Sequence, residues 1–393
     1  MLPQPPPYDP KALDAFVALG GARLWAARMT EIGLRAATGP RAGQAVRLRH
    51  GLELAIDRLR GALTRPPSTA ELHAARLATD AAALSDALPP AGRNRLRQQL
   101  RCALSDDNTL VPLFHVLQTA ALQASRGFSV AFPGLEYAAP YDLLITGGQQ
   151  EAEIACDVVS AEDGRLVRRK AWSQLADRLE DYLQVWLVAN PGRHLLKMTL
   201  PQGLDHASLP AIQERIRRLL ERRERRDHDA DAVLHLDRLA LAGRERDLGP
   251  MPSLRREFGP EAHLAVTACE TGVFVMAARA GRIDEIGAVV RRRLFEILPT
   301  RLSGSRPGIL AMFIEDTDRN EWCGLRETLA LEGEARQFLA YKAARPVVAV
   351  TCSSRFELFG MADSAAEGEL RFRNPAHPAA KAGALAPAIL SSV

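Results

Sequence analysis

FSVAFPGLEYAAPYDLLITGGQQEAEIACDVVSAEDGRLVRRK, residues 128–170, carries three short extended runs in succession. Phe128 to Phe132 is apolar and closes on Pro133-Gly134, a turn signal. Tyr141 to Thr146 is β-prone and stops at Gly147-Gly148. Ala152 to Ser160 is the third run, followed by the turn residues Glu162-Asp163-Gly164. Side chains alternate across a strand, so Glu153, Ala155 and Asp157 share one face. Ala152, Ile154, Cys156 and Val158 share the other, which is apolar and predicts the core side.

Asp142 stands at the start of the middle run, and Glu153 follows it by 11 residues (153 − 142). A hairpin of that length can set the two carboxylates side by side. Clustered carboxylates bind hard divalent cations through oxygen. Such an ion acidifies a bound water and neutralises a phosphoryl transition state.

The surrounding order of elements extends this reading. Leu110 to Ser125 predicts a helix before the three strands. Val167 to Val188 predicts an amphipathic helix after them, and His194 to Leu200 a further strand. An Asp shortly after a Pro (Pro140-Tyr141-Asp142), a hairpin, then an acidic residue two positions before a lysine resembles the PD-(D/E)XK nuclease superfamily over residues 106–228. The resemblance implies an α/β fold, a nuclease-like mixed sheet flanked by helices. It also implies metal-dependent cleavage of nucleic-acid phosphodiester bonds with Mg²⁺ or Mn²⁺. Asp142, Glu153 and Asp157 are the metal candidates, and Arg165, Arg168 and Arg169 the nucleic-acid candidates.

The pattern departs from the family at one point. In one register Glu153 is the acidic residue and Ala155 takes the lysine's place. In the other, Ala155-Cys156-Asp157 replaces Glu-X-Lys, and the continuation through Val158-Val159-Ser160 favours this second register. Either way the strand lysine is missing, and Lys170 on the following helix is the candidate to replace it. The alternative is a catalytically silent nuclease-fold module that binds protein or nucleic acid.

Composition sets outer bounds. The chain has 393 residues, 47% hydrophobic and 25% charged, which fits a folded protein of two or three domains. No apolar run approaches the ~20 residues of a membrane helix, and the start MLPQPPPYDP lacks the pattern of a secretory signal. No membrane partner and a cytoplasmic location are therefore expected. The five cysteines are widely spaced without a CxxC pair, which predicts reduced, buried thiols. The net charge of +4 is weakly in favour of a nucleic-acid partner.

Three consecutive segments are predicted: an all-helical N-terminal segment 1–105, the core 106–228, and a further α/β segment 229–393 ending in a loosely ordered Ala/Pro-rich tail. Ser68 with Glu71 predicts a helix-capping pair. Ile283 to Leu298 predicts a helix closed by Pro299. Glu315-Asp316-Asp318 is either a cation cluster or an acidic loop capping the next helix. Arg215 to Arg226 holds seven arginines with Glu214, Glu221 and Glu224 interleaved, either a phosphate-contacting or a salt-bridged solvent helix. Phosphate loops, dinucleotide fingerprints, HExxH and GxSxG are absent from the sequence.

Overall fold

The computed structural model describes residues 8–61, 65–239 and 263–392. The proline-rich residues 1–7 lie outside it. The strands in chain order are β1 (Ser129–Ala131), β2 (Leu143–Gly147), β3 (Gln150–Ser160), β4 (Gly192–Leu200), β5 (Arg226–His228), β6 (Val233–Arg238), β7 (His263–Cys269), β8 (Gly272–Ala280), β9 (Gly308–Glu315), β10 (Val347–Ser354) and β11 (Leu370–Arg373). They form two mixed sheets, ordered β1-β2-β3-β9-β10-β11 and β5-β6-β4-β8-β7, so the chain is α/β.

Two compact units result, interleaved in sequence rather than laid out as three consecutive segments. The first comprises the described residues of Met1–Leu34, Arg47–Ala161 and Gly287–Val393, and the second those of Arg35–Val46 and Glu162–Ile286. The second unit interrupts the first between β3 and the helix Ile286–Arg301.

In the first unit, β1, β2 and β3 form the antiparallel meander that their alternation predicts. The next neighbour of β3 is a surprise. It is β9, running parallel to it, with Glu153 opposite Gly308 and Asp157 opposite Met312. The strand Gly192–Leu200, expected beside the meander, belongs instead to the other sheet. The crossover from β3 to β9 is completed by the helix Ile286–Arg301, which runs through Pro299 rather than ending at it.

Alternation fixes what each face of this sheet meets. Ala152, Ile154 and Cys156 join Ile309, Ala311 and Leu143 in one core. Val158, next on that face, packs with Phe313 against the N-terminal helices. Those helices are apolar at helical spacings, and Leu13, Phe16, Trp25, Ile56, Leu77 and Leu100 are buried. Phe16 meets Trp25 and Phe114 edge-on at 6.2 and 5.8 Å. Ser68 and Glu71 make the predicted capping box on Thr69–Ala87.

Beyond β10 the chain turns sharply through the helical turn Arg355–Leu358. Phe356 to Gly360 therefore adds no strand; β10 lies between β9, parallel to it, and Leu370–Arg373, antiparallel to it. Glu357 is 2% exposed and accepts four hydrogen bonds. They come from Ser354 N (2.7 Å), Ser354 Oγ (2.6 Å), Ala365 N (2.8 Å) and the indole of Trp322 (3.1 Å).

The tail is docked, not loose. Leu385, Ala388 and Ile389 are fully buried. Arg371 on β11 donates from Nε to Leu390 O (2.8 Å) and from Nη1 to Pro387 O (3.1 Å). An Ala/Pro composition lowers the sequence signal for order, but three apolar side chains and one arginine suffice to hold the segment.

In the second unit, the helices Arg169–Ala189 and Leu209–Glu221 bury Leu175, Leu179, Leu183, Ile212 and Ile216 in one core with β4. Its two ends meet: Glu285 N donates to Gly164 O at 2.8 Å. Only glycine permits this approach, because a Cβ on residue 164 would lie 2.7 Å from backbone atoms of Ile286. No helix among the described residues is long and apolar enough to cross a membrane. All five cysteines are free, and burial pushes the Cys156 and Cys352 thiols up.

Candidate functional site

Strand β2 begins at Leu143, opposite Ile154. Past that point β3 runs on to Ser160 with its β2-facing edge uncovered by backbone. Asp142 and Arg301 occupy the place of the missing rung. Asp142 N donates to Ile154 O (3.0 Å). The Asp142 carboxylate then turns onto β3 and accepts from Cys156 N (2.7 Å). Arg301 completes the rung, donating from Nη2 to Cys156 O (3.2 Å) and to Asp142 Oδ2 (2.6 Å), while its Nε binds Pro140 O (3.1 Å). Burial leaves the Asp142 carboxyl above its ordinary value, although Arg301 and the Cys156 N–H favour its charge; nearby Asp157 adds to the upward push.

Extending the β2–β3 register by one residue sets Asp142 opposite Ala155, on the face shared by Glu153 and Asp157. The three carboxylates of the sequence reading therefore share a face, but each is held separately. Asp157 is bound by Arg293, with Nε at 3.1 Å and Nη2 at 3.0 Å. Glu153 is fully buried; Ser303 N donates to Oε2 (2.9 Å) and Ser303 Oγ to Oε1 (2.5 Å), with Arg306 Nη1 3.6 Å away. The Ser303–Arg306 loop is what holds Glu153.

Lys170 is exposed on the first turn of Arg169–Ala189, in the second unit. So it belongs to a different unit from the three carboxylates. Arg165 is also there, with its side chain 1% exposed and paired to Glu162. Arg168 is exposed, and Arg169 uses its backbone N–H on Glu162 (2.9 Å). Arg293 and Arg301, which sequence reasoning missed, sit eight residues apart on one helix (301 − 293), just over two turns. The available signal was that spacing, hidden when Pro299 was taken as the helix end.

A cleft of about 500 Å³ opens along this edge of β3, bordered by Asp142, Asp157, Arg301, His115, Arg49 and Glu315. His115 is 3% exposed and donates from Nε2 to Ala311 O at 3.0 Å. Burial holds its imidazole down to about 4. At the far end Glu315 accepts from Thr109 Oγ1 (2.8 Å), with Arg49 Nη1 at 3.9 Å. Burial pushes the Glu315 carboxyl up to about 7 against the pull of Arg49, and Asp316 adds to the rise. Asp316 itself binds Arg49 Nη1 (3.0 Å) and Ser160 Oγ (2.6 Å). Asp318 is the N-cap of Arg319–Glu327, in a capping box with Glu321. The acidic stretch after β9 thus divides between an ion pair and a helix cap.

These two buried groups act on stability with opposite signs. His115 contributes stability that is present above pH 6.5, its unperturbed value, and lost as pH falls towards 4. Glu315 contributes stability that is present below 4.5 and lost as pH rises through 7. Glu315→Gln removes the second term. Between pH 5 and pH 8 the stability difference should move in favour of the variant by on the order of 1 kcal/mol or more. Urea titrations at the two pH values read this directly; an unchanged difference would mean that Glu315 does not titrate in that window.

A divalent cation makes demands that these donors must meet. Mg²⁺ takes oxygen ligands at ~2.0–2.1 Å in near-octahedral array, several of them waters. Here Asp142 and Asp157 each bind a guanidinium, and Glu153 is enclosed by Ser303. Among the described residues no three His, Cys, Asp or Glu side chains are placed to hold one metal ion. As arranged, the carboxylates do not fit such a group. No known family model matches the chain, and neither a curated protein nor a solved structure matches it.

Proposed function

We propose that this chain is a catalytically silent binding module built on a PD-(D/E)XK-like sheet. The order of elements supports the likeness. A helix (Val111–Ser125) precedes the meander β1-β2-β3, and a helix (Ile286–Arg301) crosses over to β9, parallel to β3. The observation that carries the silent reading is the pairing of Asp142 with Arg301 and of Asp157 with Arg293, around Ala155 in the lysine's place. A Mg²⁺ or Mn²⁺ ion would have to displace both guanidinia before it met two carboxylates. With no cation on the strand at residue 155, an attacking water would also lack a positioning group. A nucleic-acid or protein partner and a cytoplasmic setting belong to the same proposal.

The test is a cleavage assay on plasmid, linear DNA and RNA with Mg²⁺ or Mn²⁺, with Asp142→Ala purified alongside. Neither protein is expected to cut. Metal-dependent cutting by the wild type that disappears in a folded Asp142→Ala variant would overturn the proposal and establish a nuclease.

A further inference from the structure

The helix Leu209–Glu221 buries Leu209, Ile212, Ile216, Leu219 and Leu220, so its other side faces solvent. The sequence leaves open whether Glu214, Glu221 and Glu224 neutralise the arginines there. In the structure they do so only in small part. Arg215 is taken by Asp227 (2.9 Å) and Asp229. Arg217 lies over the Tyr182 ring at 5.5 Å. Arg222 is 3.9 Å from Glu224, with both side chains exposed, a contact worth little. Arg218, Arg223, Arg225 and Arg226 are exposed and make no side-chain ion pair among the described residues. Glu214 and Arg218 have the favourable i, i+4 spacing and still do not pair.

Helix-dipole complementarity explains at most part of this array. It acts within the last turn and is worth ~0.3–1 kcal/mol. Arg225 and Arg226 lie past the helix, where the chain enters the edge strand β5. There the charge continues across the sheet, because Arg226 is opposite His235 on β6 and His235 is opposite Lys197 on β4. Asp237 offsets the inner end, 3.5 Å from Lys197 and 3.2 Å from His235. What remains, among the described residues, is a run of guanidinia with at most one weak ion pair along one exposed helix end and strand.

We propose that this surface of the second unit, centred on Arg218, Arg222, Arg223, Arg225 and Arg226, binds the phosphate backbone of double-stranded nucleic acid without reading sequence. Guanidinium matches phosphate geometry and stays charged at every relevant pH. Duplex DNA offers one negative charge per ~1.7 Å of axis, a density that an extended array of point cations recognises. Single strands are bound through aromatic stacking, and Tyr182, an aromatic beside this array, is already covered by Arg217. The inference does not rest on the silent-module reading, since binding is measured without divalent metal and away from β3.

The experiment is fluorescence anisotropy of the full chain with a labelled DNA duplex over a range of NaCl concentrations. The triple variant Arg222→Gln/Arg225→Gln/Arg226→Gln is compared with the control Arg97→Gln/Arg101→Gln, which alters exposed arginines of Pro90–Ala103. We expect duplex binding by the wild type, weakened at least roughly tenfold in the triple variant. The slope of log K against log[NaCl] should become shallower by about 2–3. The control should match the wild type. Circular dichroism and the urea midpoint verify folding, and Arg218→Gln/Arg223→Gln replaces the triple variant if that fails to fold. No duplex binding at low salt, unchanged affinity and slope in the folded variant, loss in the control instead, or tighter binding of the matching single strand would each overturn the assignment.

Discussion

Asp142→Ala is expected to lower stability by about 2–3 kcal/mol, whatever it does to any activity. The substitution removes the acceptor for Cys156 N and leaves Arg301 without its carboxylate. Breaking a fully buried pair costs ~3–5 kcal/mol. Here the side chains are 21% and 32% exposed, so water can partly replace the loss and the lower figure applies. Asp142→Asn retains an oxygen for the Cys156 N–H and loses only the charge, so about 1 kcal/mol is expected. A double-mutant cycle with Arg301→Gln should return a coupling energy within the 0.5–3 kcal/mol range of contacting residues. Urea unfolding of the wild type, Asp142→Ala, Asp142→Asn, Arg301→Gln and the Asp142→Ala/Arg301→Gln double variant measures all three. If Asp142→Ala were as stable as the wild type, the carboxylate would not be the rung of the sheet described above.

Replacing Glu357 by alanine should cost more, about 4 kcal/mol, a large fraction of the ~5–15 kcal/mol that a folded protein has. Four donors converge on this one carboxylate, and the site is closed to water. An unsatisfied buried donor costs ~1–3 kcal/mol, although the small residue lets some relax. Glu357→Gln keeps an oxygen acceptor but presents an NH₂ group to donors, so it should recover at most half of the loss. Trp322 is fully buried, and its indole would lose its acceptor. The readout is the denaturation midpoint together with the tryptophan emission. The exposed Glu327→Ala is the reference, expected within ~0.5 kcal/mol of wild type. A cost below about 1 kcal/mol for Glu357→Ala would refute the argument.

The meander was legible because its information is local. Alternation from Ala152 to Val158 and glycine or proline turns set three strands and their core face, and all three appear. The partner of β3 was not legible. Parallel pairing leaves no turn between the two strands, so the nearest apolar run, Gly192–Leu200, looked like the natural neighbour. The pairing found instead crosses a whole inserted unit. The candidate site divides the same way. Asp142, Glu153 and Asp157 were found as residues sharing a face, from strand periodicity. Their partners Arg301, Ser303 and Arg293 lie more than a hundred residues away, where no spacing rule reaches. Pro299 compounded this, since a proline in the last turn of Ile286–Arg301 reads as a stop although the helix carries Arg301 beyond it.

The contact between Glu285 N and Gly164 O has a consequence for how the larger sheet can assemble. Gly308 follows Glu153 by 155 residues (308 − 153), so pairing β3 with β9 in an otherwise unfolded chain closes a very long loop. Once the inserted unit has folded, its entry and exit are already joined. The free chain to be closed is then only about 34 residues (164 − 153 and 308 − 285). The logarithmic cost of loop closure makes that difference worth about 1.3 kcal/mol. One backbone hydrogen bond at a glycine thus turns 125 residues (Glu162–Ile286) into a short connector as far as chain entropy is concerned. The parallel register that aligns Asp157 with Met312 is entropically easier to reach after the insertion has closed than before.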